Sequence, residues 1–341
     1  MNLKQLADHL KLSPTTVSRA LNGYPEVSEK TRNRVLAAAE ANHYHPSHHA
    51  TRLAKGKAHV IAHVVPLSVH TMINPHFSDF IAGAGLTYAK AGYDMILRVV
   101  MESEEEAVYR SFAKDGRVDG VIVHGPRVGD TRIALLQDLG LPFVVHGRTM
   151  ADDADYSWLD VNNFRAFERA TNFLLDLGHQ KIALVNGFED MVFAARRRDG
   201  YLKALKDAGI PIDPEIMFSS EMVEPQGYQA LKKVLKQAKA PTAILLSSIL
   251  PALGAVRAIH EAGLVPGKDV SLVVFDDQLS FLQNSGDIPM FTSLRSSIHD
   301  AGTRVAEMLL SKINQPDSGF CHELWEAEFV LGSSTARPPQ A

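Results

Sequence analysis

The sequence of 341 residues contains one cysteine, Cys321, two tryptophans and only 7% aromatic side chains. A single thiol closes no internal disulfide, which excludes a disulfide-stapled secreted scaffold and points to a reducing compartment. No stretch approaches the ~20 consecutive apolar residues that a membrane-spanning helix needs. The opening segment Met1 to His9 is polar and lacks the apolar run of a secretion signal, so a cytoplasmic protein is expected. Phosphate-cradling and hydrolytic signatures are missing as well. Gly83-Ala84-Gly85 lacks the third spaced glycine and falls within a helical pattern, and there is no Walker loop, metalloprotease helix or Gly-x-Ser-x-Gly elbow. No cofactor is expected, and a dinucleotide enzyme is poorly supported. What remains is an ordinary globular composition, 45% hydrophobic and 22% charged, on a chain longer than one hydrophobic core usually organises.

The net charge of −4 conceals an asymmetry. Residues 1–57 carry nine basic and four acidic side chains, a net +5, leaving 26 basic and 35 acidic residues, or −9, for the rest. A small basic head on an acidic body is the electrostatic pattern of a polyanion-binding module. Within the head, Asn2 can cap a helix with Leu3, Leu6, Ala7 and Leu10 on one face. Ser13-Pro14 is a strong helix start, with Val17 and Leu21 on one side, Thr15, Thr16 and Arg19 facing outward, and Asn22-Gly23 ending the helix. A third helix opens at Ser28, with Val35, Leu36 and Ala39 as its apolar face. Three short helices with an exposed arginine on the second suit major-groove reading, because an arginine can donate two hydrogen bonds to guanine. Spacing alone also allows a plain three-helix bundle in which Arg19 coats the surface. After Pro46, residues Ser47 to Gly56 can form one short linker helix, marginal by itself. His43, His45, His48 and His49 match no common zinc spacing, so no metal is expected.

From Ala58 onward, short apolar runs alternate with helical patterns. Strands are expected near Val60–Val65, Met95–Leu97, Val118–Val123 and Pro142–Val145. A second series follows near Lys181–Val185, Ala243–Leu246 and Val270–Phe275. Such alternation implies parallel sheets covered by helices, with ligands at the carboxyl ends of the strands. Two series imply two lobes with a cleft between them.

The head motifs Leu3-Lys4-Gln5-Leu6-Ala7, Ser13-Pro14-Thr15-Thr16-Val17-Ser18-Arg19-Ala20-Leu21-Asn22-Gly23, Val27-Ser28-Glu29-Lys30-Thr31-Arg32 and Tyr44-His45-Pro46 resemble the lactose-repressor (LacI/GalR) family. Body motifs extend the resemblance over nearly the whole chain: Asn74-Pro75-His76-Phe77, Asp119-Gly120-Val121-Ile122, Leu177-Gly178-His179, Arg197-Arg198-Asp199-Gly200-Tyr201 and Val274-Phe275-Asp276-Asp277. The resemblance implies an all-α helix-turn-helix head and an α/β two-lobed, periplasmic-binding-protein-like body with two doubly wound parallel sheets. It implies base reading by Pro14, Thr15 and Arg19, backbone contacts by Ser18, Asn22, Ser28, Thr31 and Tyr44, and a linker helix that enters the minor groove. There Leu53 would wedge between base pairs, with Ala50 beside it on the DNA. By position, His76, Phe77, His124, His146, Asp160, Phe193, Arg197, Ser248 and Asp276 would surround the effector. Their chemistry suits a polyol: Asp276 accepts from hydroxyls, Arg197 donates in a fixed fork, and Phe77 offers a face to ring C–H groups. One departure stands out, Ile249 in Ser247-Ser248-Ile249-Leu250 where the family commonly carries Asp.

The expected organisation is a DNA-binding domain at 1–46, a hinge at 47–57 and an effector-binding and dimerisation body at 58–341. The two lobes of the body are expected at 58–160 plus 292–322 and at 161–291 plus 323–341. The expected function is a homodimeric, nucleoid-associated repressor that binds a palindromic operator in double-stranded DNA and responds to a small carbohydrate, with no membrane partner. A sugar receptor without a DNA role, a regulator responding to a nucleobase or sugar phosphate, and a sugar-modifying enzyme using Asp276 or His146 are the competing readings.

Overall fold

The computed structural model describes residues 1–42, 44, 57–66, 75–151 and 155–339. The expected linker helix with Ala50 and Leu53, and the histidines His43, His45, His48 and His49, lie outside the described residues.

The head contains three helices, α1 (Leu3–Leu10), α2 (Pro14–Leu21) and α3 (Glu29–Ala41). Each starts where a side chain satisfies an otherwise orphaned N–H. Asn2 and Gln5 form a reciprocal capping box, with Gln5 N donating to Asn2 Oδ1 at 2.9 Å. Ser13 accepts from Thr16 N at 3.1 Å, with Pro14 in the first helical turn, and Ser28 accepts from Thr31 N at 3.3 Å. Leu6, Ala7, Leu10, Val17, Ala20, Val35 and Ala39 close one small core between the helices. Leu36, expected on the inner face of α3, is 45% exposed. The inward stripe follows the i, i+4 pair Val35 and Ala39, which turns Leu36 outward.

The body is built on two six-stranded sheets. Its strands are β1 (Val60–Pro66), β2 (Asp94–Val100), β3 (Gly120–His124), β4 (Phe143–His146), β5 (Ser157–Val161), β6 (Ile182–Asn186), β7 (Met217–Ser219), β8 (Ala243–Leu246), β9 (Ser271–Asp276), β10 (Thr292–Arg295), β11 (His322–Trp325) and β12 (Glu328–Val330). Its helices are α4 (Pro75–Lys90), α5 (Glu105–Asp115), α6 (Arg132–Asp138), α7 (Asn163–Asp176), α8 (Val192–Asp207), α9 (Glu224–Val234), α10 (Ile249–Glu261) and α11 (Ile298–Asn314). The first sheet runs β2-β1-β3-β4-β5-β11 and is wholly parallel. The second runs β7-β6-β8-β9-β10-β12, parallel except for the antiparallel edge strand β12. The lobe boundaries differ from the sequence expectation. Thr292–Arg295 extends the second sheet beside β9, and Glu323–Trp325 sits in the first beside β5. The main chain therefore passes between lobes after β5, after β10 and after β11.

Alternating side chains explain why the strands of the second sheet read as continuous apolar runs. Ala183 and Val185 enter the core under α9 and α10, whereas Ile182 and Leu184 enter the core under α7 and α8. A sheet buried on both faces needs apolar residues at every position. In the first lobe Phe80 and Tyr88 of α4 pack with Val305 and Leu309 of α11 over Ile61 and Ile122. The α9–α10 crossing depends on two glycines. A Cβ at Gly227 would overlap the carbonyl oxygen of Pro251, and one at Gly254 would overlap that of Glu224. Gly227→Ala is expected to cost about 1–3 kcal/mol of stability through overpacking. Urea denaturation of the full chain measures this directly, and an unchanged midpoint would contradict the close crossing.

Candidate functional site

In the head, the outward face of α2 carries Pro14, Thr15 and Arg19, all exposed. Thr15 and Arg19 are four residues apart and so share one side of the helix, opposite the buried Val17 and Ala20. The Arg19 guanidinium makes no hydrogen bond or ion pair among the described residues. By contrast, Arg32 is tied to the carbonyl of Tyr24 at 2.8 Å and Arg34 to that of Leu10. Thr16 and Ser18 are half-buried, the former sharing a 2.8 Å hydroxyl contact with Ser13. Asn22 donates to the Ser18 carbonyl at 2.8 Å, and the Ser28 and Thr31 hydroxyls meet at 2.9 Å. Tyr44 packs into the head core and is only 8% exposed, so its ring is chiefly structural.

In the body, a cavity of about 820 Å³ opens between the two lobes at the carboxyl ends of both sheets. Seven of the nine expected effector residues line it: His76, Phe77, His124, His146, Asp160, Phe193 and Arg197. Strand order brings them together. His124 and His146 end the adjacent parallel strands β3 and β4 in direct register, and Asp160 lies near the end of β5. Phe193 and Arg197, one helical turn apart, face the same space from α8. His76 begins α4 and reaches across the cleft, with Nε2 2.8 Å from Asp277 Oδ2 and 3.1 Å from Ser248 Oγ.

Two expected residues do not line the cavity. Ser248 is fully buried at the start of α10, where its hydroxyl accepts from Leu250 N and approaches His76. Asp276 is also buried. It accepts from Gln278 N at 2.9 Å and from Arg295 Nε at 3.4 Å, so its carboxylate closes a turn and neutralises an arginine of β10. Of these two neighbouring carboxylates, it is Asp277 that lines the cavity. Gln278 adopts a left-handed backbone, φ 51°, which folds the turn back on Asp276. Asn163, Arg148 and Phe80 also line the cavity and were missed in the sequence. Asn163 accepts from Arg197 Nε at 2.7 Å and donates to Asp160 Oδ1 at 3.3 Å. Arg148 donates to Asp160 at 3.1 Å.

The electrostatics follow from burial. Arg197 donates to the Ser247 carbonyl at 2.6 Å and lies 3.9 Å over the Phe275 ring. Burial lowers its pKa to about 10, against the raising influence of Asp277 and Asp160, so it stays cationic at neutral pH. Burial likewise pushes Asp160 upward, opposed by Arg148. His146 is lowered to about 4 and is a neutral imidazole, able to donate from one ring nitrogen and accept at the other. His63, packed behind the wall with Nδ1 2.9 Å from His124 Nε2, is lowered to about 3, and His124 is pushed well below its usual value. All three bind fewer protons folded than unfolded between these values and their ordinary 6.5. Their stabilising contribution is therefore complete above pH 6.5 and is lost as pH falls below it. The slope is about 1.4 kcal/mol per pH unit for each histidine. Thermal or urea unfolding between pH 7 and 5 should show this fall. His63→Asn should flatten it by one histidine's share, and an unchanged slope would contradict a buried neutral His63.

The chain belongs to the LacI family of bacterial transcriptional regulators. Residues 2–47 match the bacterial regulatory proteins of the lacI family, and residues 58–322 match the periplasmic binding proteins and sugar binding domain of the LacI family. It is a DNA-binding transcriptional regulator with a sugar-binding domain, not an enzyme. The HTH-type transcriptional regulator AglR of Rhizobium meliloti (strain 1021) is 43% identical over 340 residues, covering 99% of this chain and 95% of the relative. The solved lac repressor dimer bound to operator and the anti-inducer ONPF superimposes with a TM-score of 0.84 at 24% identity, covering 98% of this chain and 99% of that one. A complex of the transcriptional regulator CelR with cellobiose gives a TM-score of 0.71 at 24% identity, covering 98% and 99%. No helix among the described residues is long and apolar enough to cross a membrane.

Proposed function

We propose that this protein is a homodimeric repressor whose affinity for a palindromic operator is controlled by a carbohydrate bound between the lobes. Residues 1–46 read the operator through Thr15 and Arg19, residues 47–57 form the hinge with Leu53 as its wedge, and residues 58–341 bind the effector and dimerise. The protein acts in the cytoplasm, on the nucleoid. One observation carries the effector assignment. Nη2 of Arg197, Oδ1 of Asp277 and both ring nitrogens of His146 have no protein hydrogen-bond partner among the described residues, and all three residues line one cavity beside Phe77 and Phe193. Unpaired donors and acceptors next to aromatic faces match the alternating hydroxyl and C–H surfaces of a sugar. A solved relative was captured with cellobiose and another as a dimer on operator. Exposed apolar side chains on each lobe, Leu86, Ile96 and Leu97 on the first and Phe281, Ile288 and Met290 on the second, supply surface for a two-fold contact.

DNase I footprinting on promoter fragments containing inverted repeats tests this reading. Two symmetric protected half-sites are expected, with protection changing when a carbohydrate is added. Protection of a single half-site would contradict the dimer. Protection indifferent to every carbohydrate would contradict the effector class.

A further inference from the structure

Residues two apart on a strand share a face, and on the face of β1 that packs beneath α4 the neighbour of Ile61 is a histidine, His63. It is fully buried, with its ring centre 6.3 Å from that of Phe80 and 5.8 Å from that of Tyr88. An apolar side chain suits such a position, and a buried polar one costs stability unless it is hydrogen-bonded. The bond goes to a neighbouring strand. β1 and β3 pair in parallel with His63 opposite Ile122, so His124, two residues further on, shares that face. Nδ1 of His63 lies 2.9 Å from Nε2 of His124, whereas Nε2 of His63 is buried with no partner among the described residues. His124 lines the cavity and His63 stands behind it. The other ring nitrogen of His124, Nδ1, has no hydrogen-bond partner among the described residues and, unlike Nε2 of His63, is not sealed from solvent.

Both rings are neutral at neutral pH. Burial holds His63 at about 3 and His124 well below its usual value, and the nearby Arg132, whose Nη2 donates to the His124 carbonyl at 3.1 Å, opposes a further proton. A neutral imidazole has one N–H and one lone pair, so one ring of the pair donates and the other accepts. Were His124 to donate from Nε2, the proton of His63 would sit on its own Nε2 as a buried N–H with nothing to bond. With His63 donating from Nδ1, its Nε2 keeps only a lone pair. Orphaned buried N–H groups are rarer in folded proteins than under-used acceptors, which selects the second arrangement. His124 then accepts at Nε2 and carries its own proton on Nδ1.

We propose that His63 is a positioning residue that fixes the tautomer of His124, so that His124 offers the effector an N–H donor at Nδ1 and selects an acceptor oxygen there. The ligand is that of the carbohydrate reading above, but the tautomer is a property of the protein without ligand. Nitrogen-15 NMR of the histidine-labelled full-length protein, with signals assigned through His63→Asn and His124→Gln, reads which nitrogen of each ring is protonated. His124 should carry its proton on Nδ1. His63→Leu removes the donor and should shift His124 toward the Nε2–H form that free imidazole side chains favour. His63→Asn places an amide donor close to the position of Nδ1 and should restore the Nδ1–H form. A carbohydrate that binds the parent protein should bind His63→Leu about ten-fold more weakly and His63→Asn with less than a three-fold change. A role confined to packing would give the opposite order, because leucine suits an apolar pocket better than asparagine. Operator binding without sugar confirms that each variant is folded. His124 protonated at Nε2 in the parent, or still protonated at Nδ1 in His63→Leu, would overturn the proposal. If no carbohydrate binds, the effector class fails, and the NMR result alone upholds or overturns the tautomer.

Discussion

Arg19→Ala should abolish most specific operator binding. The guanidinium is exposed on α2 and bonded to nothing else among the described residues, so its removal costs no contact within the head. A bidentate arginine–guanine contact is worth about 1–3 kcal/mol, and a two-fold dimer loses it twice, which predicts a loss of ~30-fold or more. The melting temperature should be unchanged. Discrimination at one symmetric base pair should relax, so that operators altered there bind the variant as well as the parent operator does. Fluorescence anisotropy at fixed salt measures this, because salt alone moves such affinities by orders of magnitude. A variant that keeps its affinity and base preference would remove Arg19 from the reading surface. Lys30, also exposed, offers the contrast: a phosphate contact there would weaken all sequences equally.

Asp277→Asn should separate effector binding from folding. The free Oδ1 accepts from a sugar hydroxyl as a charged acceptor, and such bonds are worth about 1.5–3 kcal/mol, so effector affinity should fall ~10- to 100-fold. Asparagine keeps the shape and leaves the core intact, so operator binding without effector should persist while the response to effector shifts to higher concentration. Asp276→Asn should behave in the opposite way. Its carboxylate closes the turn at Gln278 and pairs with Arg295, so the variant should lose stability while effector affinity changes less than three-fold. Calorimetric titration of both variants decides between the neighbouring carboxylates. Equal losses of effector affinity in the two would contradict the geometry of this turn.

That pair of residues also marks where sequence reasoning stops. Val274-Phe275-Asp276-Asp277 announces a carboxylate at the end of a buried strand, but which one enters the cavity is set by the left-handed Gln278 and by Arg295, a residue of the next strand. Neither is visible in local periodicity. Ile249, conspicuous in the sequence for replacing an acid, is 2% exposed and packs in the core of the second lobe, so it leaves no gap in the cavity wall. The features that were legible have local causes: Ser13-Pro14 starting α2, Asn2 and Gln5 closing the first cap, and apolar runs marking strands buried on both faces. His124 and His146 follow directly on the expected strands Val118–Val123 and Pro142–Val145, and parallel strands align their carboxyl ends. Membership of one lobe or the other was not legible for Thr292–Arg295. An apolar run specifies a strand without specifying which of two similar sheets receives it, and only pairing with β9 decides. Asn163 was missed because its role is relational, positioning the Arg197 fork and bonding Asp160 from the first turn of α7.

Ligand in the cavity and operator at the head are expected to be energetically linked. It is measured by the operator dissociation constant of the full-length protein, titrated at constant salt without sugar and then at saturation with a carbohydrate shown to bind. A change of at least ~5-fold is expected, and the same factor in sugar affinity when operator is prebound, because linkage is reciprocal. Identical operator constants with and without saturating sugar would contradict it.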